Sequence, residues 1–221
     1  MEKAAAAVAV IKTMLYCADC KVKACYTGAA EFVPTSCPLG EEALIEESRL
    51  AYEEETKEFA RQAALIESKG YCRWTRVEET IAFCKAMGYQ KIGLAFCIGL
   101  KKEAEILSRV FKAHSLELIS INCKFSGITK EFIGLSEEEK LRPGTREVMC
   151  NPVAQAMFLN RAGTEFNVVA GLCVGHDSLF FKHAEAPCTV LLSKDRVLGN
   201  NPAAALYCSE GYLKRIYEEA K

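Results

Sequence analysis

The sequence lacks an excess of charge of either sign: 28 Lys and Arg stand against 29 Asp and Glu, for a formal net charge of −1 over 221 residues. No global field draws nucleic acid or an acidic membrane to such a chain, and no basic stripe interleaved with aromatics offers a local one. It also lacks an apolar run of bilayer length. The stretch from Ala4 to Ile11 stops at Lys12, well short of the ~20 residues that a spanning helix needs. No small-residue cleavage site follows it, and Tyr16 before Cys17 suits a lipid-modified cysteine poorly. Internal repeats and low-complexity tracts are missing. So are G-x-G-x-x-G, G-x-x-x-x-G-K-[ST] and G-x-S-x-G, which removes the support for ordinary dinucleotide, nucleoside-triphosphate and serine-hydrolase readings. The expectation is a cytoplasmic protein with no nucleic-acid or membrane partner.

What the chain has is cysteine. Twelve cysteines are many for a cytosolic protein and few for a disulfide scaffold. Their even number leaves disulfides open by arithmetic, while chain size and the missing leader favour reduced thiols. Half the residues are apolar, enough for the core of one good-sized domain with a small appendage.

Four of the cysteines form Cys17-x2-Cys20-x4-Cys25-x11-Cys37, with Pro38 next. Thiolates are soft anionic donors, and four on so short a stretch can close round one centre. Zinc sites commonly pair two C-x2-4-C knuckles, whereas here there is one. Iron–sulfur clusters take more varied spacing, and a proline after the last ligand occurs in ferredoxin motifs. Iron–sulfur is therefore placed ahead of zinc for Cys17, Cys20, Cys25 and Cys37, and free or paired thiols remain the plain alternative.

Beyond this module (residues 1–40) the pattern reads as an α/β domain (residues 41–221). A long helix is expected over Leu39–Ser68, with Leu44, Leu50, Phe59, Ala63 and Ile66 as its buried stripe and Gly70 as its stop. Thr75-Arg76-Val77-Glu78 is a capping box opening a helix to about Met87. Apolar runs at Lys91–Cys97, Leu116–Asn122, Phe166–Leu172 and Thr189–Ser193 read as strands. Helices are expected at Lys101–Ala113, Pro152–Arg161, Asp177–His183 and Asn201–Tyr207, with a tail helix that Ser209 could cap. Strands that are nearly continuous apolar runs, alternating with helices, imply a mainly parallel sheet covered on both faces. The fold class is thus a three-layer, Rossmann-like α/β domain beside a cysteine-rich module and a long helix.

Cys97, Cys123 and Cys173 each fall at the end of a strand, with glycine within a few residues, and Cys150 falls at a helix start. In a parallel sheet these strand ends share one edge, where ligands settle. Neighbouring strands lie ~4.8 Å apart, so side chains from two or three of them can converge. One such cysteine would be no more than a small hydrophobe. Four together suggest a second thiolate site, expected to hold a second iron–sulfur cluster. Cys72, Cys84, Cys188 and Cys208 are assigned to packing. In the loop Gly171-Leu172-Cys173-Val174-Gly175-His176-Asp177, His176 is a proton donor, a metal ligand or a loop histidine bonded to the backbone. Asp177 and Ser178 suit helix capping. Lys194 and Arg196 are candidates for an anion, and Cys97, Cys173 and His176 for catalysis.

The blocks Cys17-Ala18-Asp19-Cys20, Gly93-Leu94-Ala95-Phe96-Cys97-Ile98-Gly99-Leu100, Cys150-Asn151-Pro152, Gly171-Leu172-Cys173-Val174-Gly175-His176-Asp177 and Lys194-Asp195-Arg196-Val197-Leu198-Gly199 together resemble an uncharacterised family of cysteine-rich proteins of anaerobic bacteria and archaea. The resemblance runs over nearly the whole chain. It implies a metal-binding label drawn from the cysteines, an oxygen-free setting in which exposed clusters survive, and no assigned reaction. The functional expectation is a metal-binding, iron–sulfur protein with a redox or electron-transfer role, acting on a redox partner protein or a small molecule. The alternatives are a structural zinc module on a small-molecule-binding domain, and a thiol-based enzyme or metal carrier.

Overall fold

A computed structural model describes residues 17–28, 33–34 and 37–218. The apolar stretch Ala4–Ile11 lies outside them. The chain divides into two compact units, Met1–Arg61 and Gln62–Lys221.

In the first unit the described backbone makes short turns around the cysteines. A 3-10 turn covers Cys17–Asp19, and a single helical turn, Ala24–Thr27, lies between left-handed Lys23 and Gly28. Pro38 opens another 3-10 turn, Pro38–Gly40. The long helix expected from Leu39 is broken. Helix α1 is Glu42–Leu50 and helix α2 is Glu54–Gly70, with a turn at residues 51–53 between them. The proposed stripe explains why. Leu44, Leu50 and Ala63 are exposed and Phe59 is half-buried, so only Ile66 is buried. A helix this short is marginal without an apolar face to bury.

The second unit is built on four parallel strands, β1 Lys91–Phe96, β2 Glu117–Asn122, β3 Phe166–Ala170 and β4 Cys188–Leu192, in the order β2-β1-β3-β4. Helix α3 (Arg76–Ala86) precedes β1, α4 (Lys101–Ala113) joins β1 to β2, α5 (Pro152–Arg161) joins β2 to β3, and α6 (His176–His183) joins β3 to β4. The capping box is present in full: Thr75 accepts from the Glu78 N–H, and the Glu78 carboxylate accepts from the Thr75 N–H. Replacing Thr75 by alanine is expected to cost about 1 kcal/mol, read as a lower midpoint in urea unfolding with an unchanged slope.

Alternation along β1 defines the layers. Ala95 and Cys97 pack with Ala156 and Leu159 of α5 and Phe180 of α6. The next register position down, Gly93, lies against Leu159 and Asn167. On the opposite face Phe166, which pairs with Ile92, meets the rings of Phe83 from α3 and Tyr89. A groove lined by Arg76, Glu103, Ile106, Leu107 and Leu191 places α4 beside α3 on that face. The result is a three-layer α/β unit, α3 and α4 on one side and α5 and α6 on the other. Right-handed crossovers impose this: β1 to β2 and β2 to β3 run in opposite directions across the sheet, so their helices fall on opposite faces.

The irregular stretch after β2 is held by charge. Lys140 is buried between the Glu131 and Glu137 carboxylates, Lys130 pairs with Glu147, and a bridge joins Thr129 to Val148. The tail differs from expectation. Ser209 caps no helix but is buried, its hydroxyl 3.3 Å from the Tyr217 hydroxyl, and among the described residues the tail after it contains only a 3-10 turn, Lys214–Tyr217. The last helix, α7, is Ala203–Tyr207. No helix among the described residues is long and apolar enough to cross a membrane.

Candidate functional site: a row of thiols at the sheet edge

The order β2-β1-β3-β4 puts the topological switch point between β1 and β3, and the carboxyl edge of the strands is where open α/β sheets bind ligands. The register brings cysteines to it. Phe96 pairs with Asn122, which makes Cys97 and Cys123 the next residues of adjacent strands. The ladder continues past the strands, with the Cys123 N–H donating to the Phe96 carbonyl at 3.0 Å and the Cys97 N–H to the Ala170 carbonyl at 3.1 Å. Parallel partners at one level point to the same face, so the two sulfurs meet. Cys150 arrives from the other direction. The Asn151 N–H donates to the Cys123 carbonyl at 2.7 Å, and Asn151 caps α5 by accepting from the Ala154 N–H, with Pro152 in the first turn. Cys150 therefore stands at the positive end of that helix.

The sulfurs form a row in which Cys123 lies beside both Cys97 and Cys150, and Cys150 continues it to His176. The central thiol of Cys123 is pushed far above the ordinary cysteine range, by its contact with Cys150 first, then by Cys97 and burial. Its neighbours move the other way. Cys97 is lowered to about 5, chiefly by the hydrogen bond with Cys123, helped by the Gly99 N–H and Lys194 against the cost of burial. Cys150 is lowered to about 4, by Cys123 first and then His176, with Lys124 adding to the effect. One thiol carries one proton, so Cys123 serves one thiolate at a time. The outer two are stabilised independently by Lys194 and by the His176–Lys124 side. His176 is raised in turn by the Cys150 sulfur. By contrast Cys84, alone in the core, is pushed up to about 12 by burial.

The four strand-end cysteines of the sequence reading are thus not equivalent. Cys97, Cys123 and Cys150 are in one row. Cys173 lies three residues beyond β3, which ends at Ala170 rather than Leu172, and its sulfur accepts from Arg196 Nη2 at 3.0 Å. The helix expected from Asp177 begins at His176 with Gly175 as its cap. Asp177 instead accepts the Ser178 N–H at 2.8 Å, because left-handed Gly175 (φ 80°) turns the chain one residue earlier. Lys194 and Arg196 do reach this edge, but toward sulfur. The pairing of Cys150 with His176, and Lys124 beside it, had no local signature: the residues are far apart in the chain.

In the first unit Cys17 and Cys25 are exposed and Cys20 and Cys37 half-buried. Among the described residues no three or more His, Cys, Asp or Glu side chains are gathered so as to hold a metal ion. This applies to the amino-terminal four as they stand, and to the strand-end row, whose contacts are pairwise. All twelve cysteines are free thiols.

Fold and site together define a cysteine-rich α/β protein with a row of cysteines at the carboxyl edge of its sheet. Residues 37–191 match the family model described as protein of unknown function, DUF1847. The chain is also similar to the uncharacterized protein MJ0455 of Methanocaldococcus jannaschii, 43% identical over 203 residues that cover 91% of this chain and 98% of that protein. The chain belongs to the DUF1847 family. The matched span begins at Cys37 and contains Cys97, Cys123, Cys150, Cys173 and His176.

Proposed function

We propose that this chain is a cytoplasmic redox protein that works through sulfur, with the row Cys97, Cys123 and Cys150 as its redox-active thiols. The carrying observation is the contact of Cys123 with a sulfur on each side of it. A thiolate beside a thiol is the arrangement from which a disulfide forms and is reduced again, and two flanking thiolates make either pairing accessible. The position of the row, at the edge where α/β sheets take ligands, suits a small molecule or the exposed group of a redox partner protein.

The amino-terminal cysteines Cys17, Cys20, Cys25 and Cys37 are proposed as a separate soft-metal set, for an iron–sulfur cluster ahead of zinc. Their spacing and the soft, anionic character of thiolates support this, and Cys17, Cys25 and Pro38 lie in short helical turns.

One preparation tests both parts. Protein purified without oxygen is expected to carry iron and acid-labile sulfide that disappear on replacing Cys17 and Cys20 by serine. Treated with a thiol oxidant, it is expected to form a disulfide within Cys97, Cys123 and Cys150, mapped by peptide mass and reversed by dithiothreitol. Colourless protein with one zinc per chain would move the first set to a structural role. An oxidised chain with all three strand-end thiols still free would end the redox reading.

A further inference from the structure

We infer that the row is a disulfide-reducing centre with a division of labour, in which Cys150 attacks, Cys123 resolves, Cys97 takes the Cys123 proton and His176 protonates the leaving sulfur, and that its substrate is a small disulfide bearing acidic groups. The inference rests on the redox reading of the row given above.

Access assigns the attacking sulfur. Cys150 is half-buried, whereas Cys123 is 2% and Cys97 9% exposed. An incoming disulfide reaches Cys150 first, at the amino end of α5, where the helix dipole favours a thiolate. Cys123 lies behind it, in contact with both neighbours, which is where a resolving thiol must be.

Unpaired polar atoms collect around the row. Buried polar groups are nearly always partnered in proteins. Among the described residues Ser126 Oγ, Gln155 Oε1, Asn167 Nδ2 and His176 Nδ1 are buried without a hydrogen-bond partner. Three of these belong to segments that border the row: the loop after Cys123, the helix after Cys150, and the start of α6. His176 Nδ1 is buried without a hydrogen-bond partner, and the same ring lies beside the Cys150 sulfur.

Charge indicates the substrate class. Lys194 lies beside Cys97 and Arg196 donates to Cys173, while Lys124, whose ammonium donates to the Val148 carbonyl, acts on Cys150 through its charge. The neighbouring carboxylates are engaged by backbone: Asp195 accepts from the Val197 and Leu198 N–H groups, both at 2.8 Å, and Asp177 from Ser178. The cations form a rim that attracts anions.

The chemistry balances. The Cys150 thiolate attacks one sulfur of the bound disulfide, whose S–S bond breaks, and the departing thiolate takes a proton from His176. Cys123 passes its proton to the Cys97 thiolate and attacks Cys150 Sγ. The mixed disulfide breaks, the second substrate sulfur leaves with its electron pair, and a Cys123–Cys150 disulfide remains. The substrate gains two electrons and the two cysteines lose them. A dithiol reductant restores the row.

The test uses the full chain, purified without oxygen, with oxidised glutathione as the acidic disulfide and cystamine as its cationic counterpart. One equivalent of oxidised glutathione is expected to leave a Cys123–Cys150 disulfide, and to react about tenfold or more faster than cystamine at low salt, with the preference collapsing in strong salt. Cys123→Ser, checked for native circular dichroism, is expected to stall with glutathione joined to Cys150, while Cys97→Ser slows only the second step. His176→Gln is expected to slow the first step and to be rescued by substrates with more acidic leaving thiols. A Cys97–Cys123 disulfide would overturn the assignment while leaving the row redox-active. So would first labelling at Cys97 or Cys173, or equal rates for the two probes. Three thiols untouched by either probe and by a general oxidant would overturn this inference and the redox reading together.

Discussion

Alkylation of Cys150 by iodoacetamide is expected to fall less than about tenfold between about pH 8 and about pH 5, where an ordinary thiol falls ~1,000-fold because its thiolate fraction drops nearly tenfold per pH unit. The difference follows from the lowering of Cys150 to about 4 by Cys123, His176 and Lys124. The folded state favours the charged form. Its contribution to stability is therefore fully present above the unfolded thiol's pKa and is lost as pH falls toward 4. The rate near neutral pH need not be unusual, since nucleophilicity declines with basicity (Brønsted slope about 0.4–0.5) and offsets most of the gain in thiolate. The signature is thus the flat profile. It is measured by quantitative peptide mass spectrometry, with the same cysteine in the urea-unfolded chain as reference. In His176→Gln the profile is expected to steepen at its acid end, because one of the supports named above is gone. A wild-type profile as steep as the reference would show that the row does not hold Cys150 as a thiolate.

Gly93→Ala is expected to destabilise the sheet unit by about 3 kcal/mol or more, near the upper end for overpacking a core. A Cβ there would lie 2.0 Å from Asn167 Oδ1 and 2.9 Å from Leu159 Cδ1. Neither neighbour can give way. Asn167 is fully buried, and its Oδ1 accepts from Thr164 Oγ1 at 2.9 Å, a bond whose loss would leave buried polar atoms unpaired at a further cost of about 1–3 kcal/mol. Leu159 belongs to the cluster that packs Cys97 and Cys123. For a domain of this size each kcal/mol moves Tm by ~2–4 °C, so thermal unfolding is expected to shift down by about 6–12 °C. Gly211→Ala is the control, since nothing lies within 4 Å of a Cβ at that position, and less than ~0.5 kcal/mol is expected. A shift at Gly93 no larger than the control's would mean that α5 and β3 yield without cost.

Much of the architecture can be read along the chain, because its signals are local. Thr75 and Glu78 are three residues apart and close their box wherever the helix goes. The four strands are apolar runs whose length and spacing from the helices already imply a parallel sheet. Cys97 and Cys123 come directly after two of those strands, so their common edge is legible too. The helix at Glu42–Leu50 is the opposite case. Its periodicity promises a buried stripe, but whether Leu44 and Leu50 find a surface to cover is decided by residues remote in sequence, and they do not.

Local sequence therefore settled the strands and the helices between them, though not the amino-terminal helix or the tail, and that several cysteines would gather where the strands end, since hydrophobic period and capping act over a few residues. Strand order, register and the wrapping of α5 settled the rest. They turned four similar cysteines into a row of three plus one bound to Arg196, put His176 beside Cys150, and set Cys123 between two sulfurs that favour its holding the proton. Such contacts depend on distances of a few ångströms between residues tens of positions apart, and only the packed chain sets those.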